Sequence, residues 1–274
     1  MGFERAVASQ PLHLRDDDAA IVAGSQRLVE TAGRIDYMSY AKPRPGGNSA
    51  YVGNLLEKGH GSVIEMGVFS FIIEGVSRSL SHQFLRHRAG VSPQELSQRY
   101  VDRSTAGFVV PPALVDEVAK AQETMERMGF ATATEAMNRG GRGPYPQFAV
   151  CLRMGLEWIA HSEASVDLYG RINDYLLARD QPGRGTPDQK TAARKQAREA
   201  ARSVLPECTE TKLFITANVR ALRHIVEMRG SHAADAEIRR LACLLAGRLK
   251  AEAPNLFVDV QIEPADDGAA CVRV

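Results

Sequence analysis

GHGSVIEMGVFSFIIEGVSRSLSHQFLRHRAGVSPQELSQRYV, residues 59–101, decides the fold of this chain because its hydrophobic period changes partway along. VFSFII at 68–73 is dense in β-branched and aromatic residues and stops at Gly75, which predicts a strand. From Val76 the apolar residues step by four through Leu80 and Phe84, which predicts a helix reaching about Arg88. On that helix Gln83, Arg86 and His87 fall at i, i+3 and i+4 and share a face. Gly90 and Pro93 break the helix, and a polar loop then carries Glu95, Ser97 and Arg99.

A second legible stretch runs from Ala197 to Phe257. A helix closes before Pro206, TKLFITA at 211–217 predicts a strand, and Asn218 caps a helix reaching Arg229. Ser231 is the expected cap of the next helix, whose stripe of Ile238, Leu241, Leu245 and Leu249 stops before Pro254. Upstream, residues 17–32 predict an amphipathic helix with Ile21, Val22, Leu28 and Val29 inward, followed by a Pro/Gly-rich loop at 41–50 and a short helix at 51–59. Between the two stretches the pattern is weaker. Pro111 and Pro112 start a helix, 138–146 read as a loop, helix resumes over 147–178, and 180–188 form another loop. Helices alternating irregularly with few strands predict an α+β fold, and 274 residues suit a single domain spanning 1–274.

Charge narrows the function. Lys and Arg total 34 against 33 Asp and Glu, so no global field exists to hold DNA or RNA, and any anion site must be local. No apolar run has the length of a signal peptide core or a membrane span, which predicts a cytoplasmic protein without a membrane partner. Cys151, Cys208, Cys243 and Cys271 form no CxxC pair and read as buried small apolar residues. No Cys/His cluster argues for a metal, and neither a GxGxxG nor a GxSxG motif occurs. What does recur is arginine near element ends: Arg86, Arg88, Arg99, Arg202, Arg220 and Arg229. Guanidinium groups grip phosphate through paired, charge-assisted hydrogen bonds, so two or three from separate elements can enclose one phosphate monoester.

Taken together, HGSVIE, FSFIIEGVSRSLSHQFLRHR and SPQELSQRYV resemble the signature region of flavin-dependent thymidylate synthases, whose hallmark is Arg-His-Arg, seven residues, then Ser. Arg-x-Val-Leu-Pro at 202–206, Asn-x-Arg at 218–220 and the segment 229–239 resemble that family's second half in order and spacing. The resemblance implies a twisted antiparallel sheet flanked by helices, assembled as a homotetramer with FAD and substrate between subunits. It also implies C5 methylation of a uridine monophosphate, with methylene tetrahydrofolate as carbon donor and NADPH as reductant. His60, Ser62, Glu65, Arg86, His87, Arg88, Asn218, Arg220 and His224 fall where the family contacts FAD, His224 replacing a more usual Asn. Gln83, Arg86, Glu95, Ser97, Arg99, Arg202 and Arg229 fall where it contacts the nucleotide. Arg99 and Arg202 are the expected phosphate ligands, and Arg229 the cation that stabilises charge developing on the uracil.

The spacer departs from the hallmark. Eight residues, AGVSPQEL, separate Arg88 from Ser97, and Leu96 occupies a place often taken by Gln. An added residue beside the sugar points to UMP as an acceptable substrate, and with it to an alternative role in modified-nucleoside synthesis rather than dTMP supply. Two other classes compete: a nucleic-acid-binding module using the Arg-His-Arg cluster, opposed by the net charge of +1, and a flavoprotein of pure electron transfer, which would need no nucleotide site.

Overall fold

The computed structural model describes residues 24–42, 44–140, 149–180, 185–264 and 270–274. In chain order the elements are α1 Gly24–Asp36, α2 Gly47–Glu57, the single-turn α3 Gly61–Ile64, β1 Val68–Ser77, α4 Arg78–Phe84, β2 Val91–Glu95, α5 Val115–Met128, α6 Ala133–Gly140, α7 Ala149–Arg179, α8 Pro187–Ala201, β3 Glu210–Asn218, α9 Val219–Arg229, α10 Ala236–Glu252, β4 Gln261–Pro264 and β5 Ala270–Arg273. The fold is α+β, as the pattern of elements predicts. One sheet has the order β1-β3-β2, and β4 pairs antiparallel with β5 from Gln261↔Arg273 to Pro264↔Ala270.

Period-two alternation builds β3, which buries Thr211, Leu213, Ile215 and Ala217 and turns Lys212 and Phe214 outward. Its flanking strands differ from expectation in ways that single residues explain. The strand expected over 68–73 continues to Ser77 because Gly75, at φ +68, supplies a left-handed residue within it. Alternation slips there, with Glu74 and Gly75 both exposed and Val76 and Ser77 both buried, the mark of a bulge. The helix expected from Val76 to Arg88 is therefore only Arg78–Phe84. The polar loop expected after Gly90 contains β2, with Pro93 inside it. Leu96 donates its N–H to the Lys212 carbonyl at 3.0 Å, so Pro93, an odd number of residues away, turns its donor-less nitrogen from β3.

The chain divides into two compact units. The first takes the described residues through Ile73, then His82–Gln94 and Leu213–Val274. Its core gathers Val29, Val52, Leu55, Phe84, Ile215, Leu222, Ile225, Ile238, Leu249 and Phe257. The stripe expected on α10 is buried at Ile238, Leu245 and Leu249, and half-buried at Leu241. Arg34 is 5% exposed, yet its charge is met by Glu30 at 2.7 Å and the carbonyls of Ser39 and Lys42. Asn48 donates to the other Glu30 oxygen at 2.8 Å, which fixes α2 on α1. That helix begins at Gly47, inside the segment expected as loop, since Gly46 and Gly47 at φ +89 and +61 make the entry turn. Residues 17–23 of the expected first helix lie outside the described residues.

The second unit takes Glu74–Ser81 and Glu95–Lys212. Here α5, α6 and α7 bury Ala121, Ala133, Ala136 and Leu156 against Met125, Phe130, Met137, Leu152 and Ile159. Small residues set the spacing: a Cβ on Gly155 would sit 2.1 Å from the Glu117 carbonyl oxygen, so α7 crosses α5 there almost backbone to backbone. Thr186 and Gln189 form a reciprocal capping box at the start of α8, with Pro187 in the first turn. Of the two expected loops, 141–146 and 181–184 lie outside the described residues.

Candidate functional site

In the first unit the site residues collect around the start of α9. Asn218 is its N-cap, accepting the Ala221 N–H at 2.8 Å, as the sequence predicts. Its own N–H donates to the Gly90 carbonyl at 2.9 Å. Gly90 has φ +70, and a Cβ there would lie 2.5 Å from the Asn218 amide, so both backbone angle and space demand glycine. Gly90 is the third residue of a tight turn closed by the Val91 N–H on the Arg88 carbonyl. Arg220, the second residue of α9, reaches Glu65 at 2.7 Å and crosses Gly61, where a Cβ would lie only 3.1 Å from its guanidinium. This pair is exposed and contributes little to stability. His60 stacks on Tyr37 with ring centroids 6.1 Å apart, while Ser62 stands exposed on α3.

At the other end of α9, Arg229 donates its Nε–H to His87 Nε2 at 2.8 Å and an Nη2–H to the Gln83 carbonyl at 3.2 Å. Both acceptors are neutral. Because Nε2 uses its lone pair on Arg229, the His87 proton sits on Nδ1, making the ring a donor towards any ligand. Burial, then the Arg229 charge, then His224 with its ring centroid 5.8 Å away, hold the His87 pKa down at about 4. A base role for His87 is thereby disfavoured. Gln83 is itself fixed, donating from its side chain to Asp235 at 2.6 Å, a partner the sequence reading missed because nothing in the spacing links residues 152 apart. Asp235 rather than Ser231 precedes α10 as its cap; the Ser231 hydroxyl instead donates to the Met228 carbonyl. Arg86 and Arg88 are exposed and make no ion pair among the described residues.

The second unit holds the other set. Glu95 lies 3.3 Å from Arg78 and accepts from the Thr211 hydroxyl at 3.1 Å, so its carboxylate is engaged by its own unit. The Ser97 hydroxyl accepts the Arg99 N–H at 3.3 Å, closing a small turn that carries Arg99 outward to Glu199 at 3.0 Å. Arg202 follows α8, at a helix C-terminus where a cation is favourable, and is exposed. Arg198, which the sequence reading passed over, donates to the Tyr100 carbonyl at 2.6 Å.

The cysteines divide unlike the expectation of four buried residues. Only Cys271 is buried, Cys208 and Cys243 are intermediate, and Cys151 is exposed because its position on α7 faces outward. Burial pushes the thiols of Cys208 and Cys243 up, away from thiolate. No helix among the described residues is long and apolar enough to cross a membrane.

A family profile described as "Thymidylate synthase complementing protein" matches residues 20–255. The chain is 40% identical over 247 residues to a flavin-dependent thymidylate synthase of Mycobacterium sp. (strain JLS), covering 89% of this chain and 84% of that protein. It is 39% identical to the flavin-dependent thymidylate synthase of Mycolicibacterium gilvum (strain PYR-GCK), covering 89% and 83%. The protein of that description from Mycobacterium leprae (strain Br4923) is 37% identical, covering 89% and 84%.

Proposed function

This chain belongs to the flavin-dependent thymidylate synthase family, and from that premise we propose that it methylates C5 of deoxyuridine monophosphate, with FAD bound and with methylene tetrahydrofolate and NADPH as co-substrates. The observation that carries the reading is the Arg229–His87 pair. A guanidinium fixed by two neutral acceptors keeps its full charge and a spare nitrogen for a ligand, which suits stabilising negative charge on a pyrimidine ring.

The residues of the first unit fit a flavin dinucleotide in donor chemistry. Arg86, Arg88, Arg220 and the His87 Nδ1–H are donors, while a pyrophosphate and the carbonyls of a flavin ring are acceptors. When bound, the flavin supplies hydride transfer. In this reading His60, Ser62, Glu65, Asn218 and His224 border the same cofactor, and Gln83 and Arg229 border the uracil. Ser97, Arg99 and Arg202 take the nucleotide phosphate, and the backbone beside Glu95 takes the sugar. No side chain is needed as a C6 nucleophile, and the raised thiols of Cys208 and Cys243 agree with that. An outward sheet face bearing exposed Val68, Ile72 and Phe214 supports assembly with further copies of the chain, in this reading as a homotetramer.

The eight-residue spacer supports a second reading, that UMP is accepted alongside dUMP. Excluding a ribose hydroxyl requires leaving it without space or partners, at roughly 1–3 kcal/mol, and an added residue near the sugar relaxes that exclusion. One assay tests both readings: purified protein with FAD, NADPH and methylene tetrahydrofolate, offered dUMP and UMP in parallel. Methylated dUMP is the expected product, and deletion of Ala89 should shift kcat/KM further towards dUMP. Absence of methylated product from either nucleotide overturns the function. Turnover of dUMP with no binding of UMP overturns the second reading alone.

A further inference from the structure

One face of α8 presents Thr191, Arg194, Lys195 and Arg198, at i, i+3, i+4 and i+7. Within the second unit that face and the segment Arg99–Tyr100 line an open pocket of about 240 Å³. Three like charges on one helix face repel one another, a cost that intervening carboxylates normally relieve. Here two carboxylates beside the face are already used, Glu199 by Arg99 at 3.0 Å and Asp102 by Arg198 at 3.5 Å, while Asp188 stands in the first turn of the helix. Four cations against these two carboxylates leave two positive charges over the pocket. The two that remain have neutral partners: Arg194 donates to the Thr191 hydroxyl at 3.1 Å, and Lys195 lies 4.5 Å above the Tyr100 ring. Arg198 holds the Tyr100 backbone carbonyl at 2.6 Å, which anchors the segment whose ring lies under Lys195. An ammonium and a planar guanidinium, neither paired with a carboxylate, together match a dianionic phosphate monoester.

The geometry points to this pocket as a phosphate site distinct from Arg202, taking the 2′-phosphate of NADPH. It rests on the reductive reading above, in which Arg194, Lys195 and Arg198 are assigned neither to the nucleotide substrate nor to FAD, and Arg99 at the pocket's edge belongs to the substrate phosphate. Arg194 is exposed and Lys195 half-buried at the surface, so Arg194→Gln with Lys195→Met removes the charge while keeping the stems. In flavin reduction by the FAD-loaded double variant, KM for NADPH should rise at least roughly tenfold, while KM for NADH is unchanged. Equal effects on the two nucleotides, or a loss of dUMP affinity in place of the NADPH effect, overturn the assignment. Calorimetric titration with adenosine 2′,5′-bisphosphate needs no turnover, so it separates failure of the pocket from failure of the enzymatic reading. Wild-type protein should bind it, the double variant at least roughly tenfold more weakly, and identical isotherms overturn the site.

Discussion

Arg229 and Arg99 are held in two different ways, one in each of the two units. In the first, Arg229 is half-buried and held by a neutral imidazole and a backbone carbonyl. In the second, Arg99 is exposed and held by the carboxylate of Glu199, and Arg202 stands exposed after a helix end. The difference lies in how much charge is left for a ligand. A cation oriented by neutral acceptors keeps its whole field and needs no rearrangement, the condition for electrostatic preorganisation. A cation paired with a carboxylate must exchange one anion for another, although an exposed pair costs about 1 kcal/mol or less to open.

The strongest way to break this comparison is to remove the preorganised cation. Arg229→Ala should lower kcat by about 10²–10³-fold, the effect of deleting one well-aimed charge-stabilising donor, with FAD content and melting temperature little changed. Arg229→Lys should not rescue it, because an ammonium cannot donate to His87 and the Gln83 carbonyl in the same fork. Turnover within tenfold of wild type in the alanine variant would place Arg229 outside the chemistry.

The second unit should respond in binding rather than in rate. Arg202→Ala is expected to weaken nucleotide affinity by about 2–4 kcal/mol by calorimetry, since the phosphate loses a charge-assisted partner, with FAD binding unaffected. Unaltered affinity would remove Arg202 from the site.

A smaller effect distinguishes the units through pH. The His87 pKa is about 4 in the folded protein against 6.5 for an ordinary histidine, so between these values the unfolded chain binds the extra proton. His87 therefore contributes stability that is present above pH 6.5 and is lost as pH falls towards 4. Allowing for solvent screening of a half-buried ring, the loss is about 1 kcal/mol. Urea midpoints at pH 7.0 and 4.5 should converge in His87→Gln, which keeps an acceptor for Arg229 and does not titrate. An unchanged pH slope in that variant would contradict the neutral, Arg229-bound ring.

The smallest effect is expected at the thiols. Each Cys→Ala variant should retain turnover within a few-fold of wild type, because burial pushes the Cys208 and Cys243 thiols up, at Cys243 outweighing the opposing charge of Arg239. Abolished chemistry in a folded, FAD-loaded single variant would introduce a nucleophile and end the contrast between charge-based and covalent catalysis.

Local signals in the sequence determined the elements that carry the site. Alternation at 211–217 specified β3, the side chain of Asn218 specified the start of α9, and the four-residue step through Leu80 and Phe84 marked the buried side of α4. The Arg-His-Arg run, Asn-x-Arg and the later arginines named the family and the candidate ligands, because identity and spacing are properties of the chain itself. Tertiary structure alone decided three things. Gly75 continues a strand instead of ending it, and β2 forms across Pro93, because an adjacent strand supplies hydrogen-bond partners that no local pattern announces. His87 is a neutral acceptor of the Arg229 Nε–H, so the tautomer of its ring is set by a residue 142 positions away. The basic face of α8 borders a pocket because the segment Arg99–Tyr100, whose carbonyl Arg198 holds across 98 residues, lies against it. Periodicity reports which side of an element meets the core; which charges meet one another is settled only when distant segments pack, and the electrostatics of a site depend on those distances.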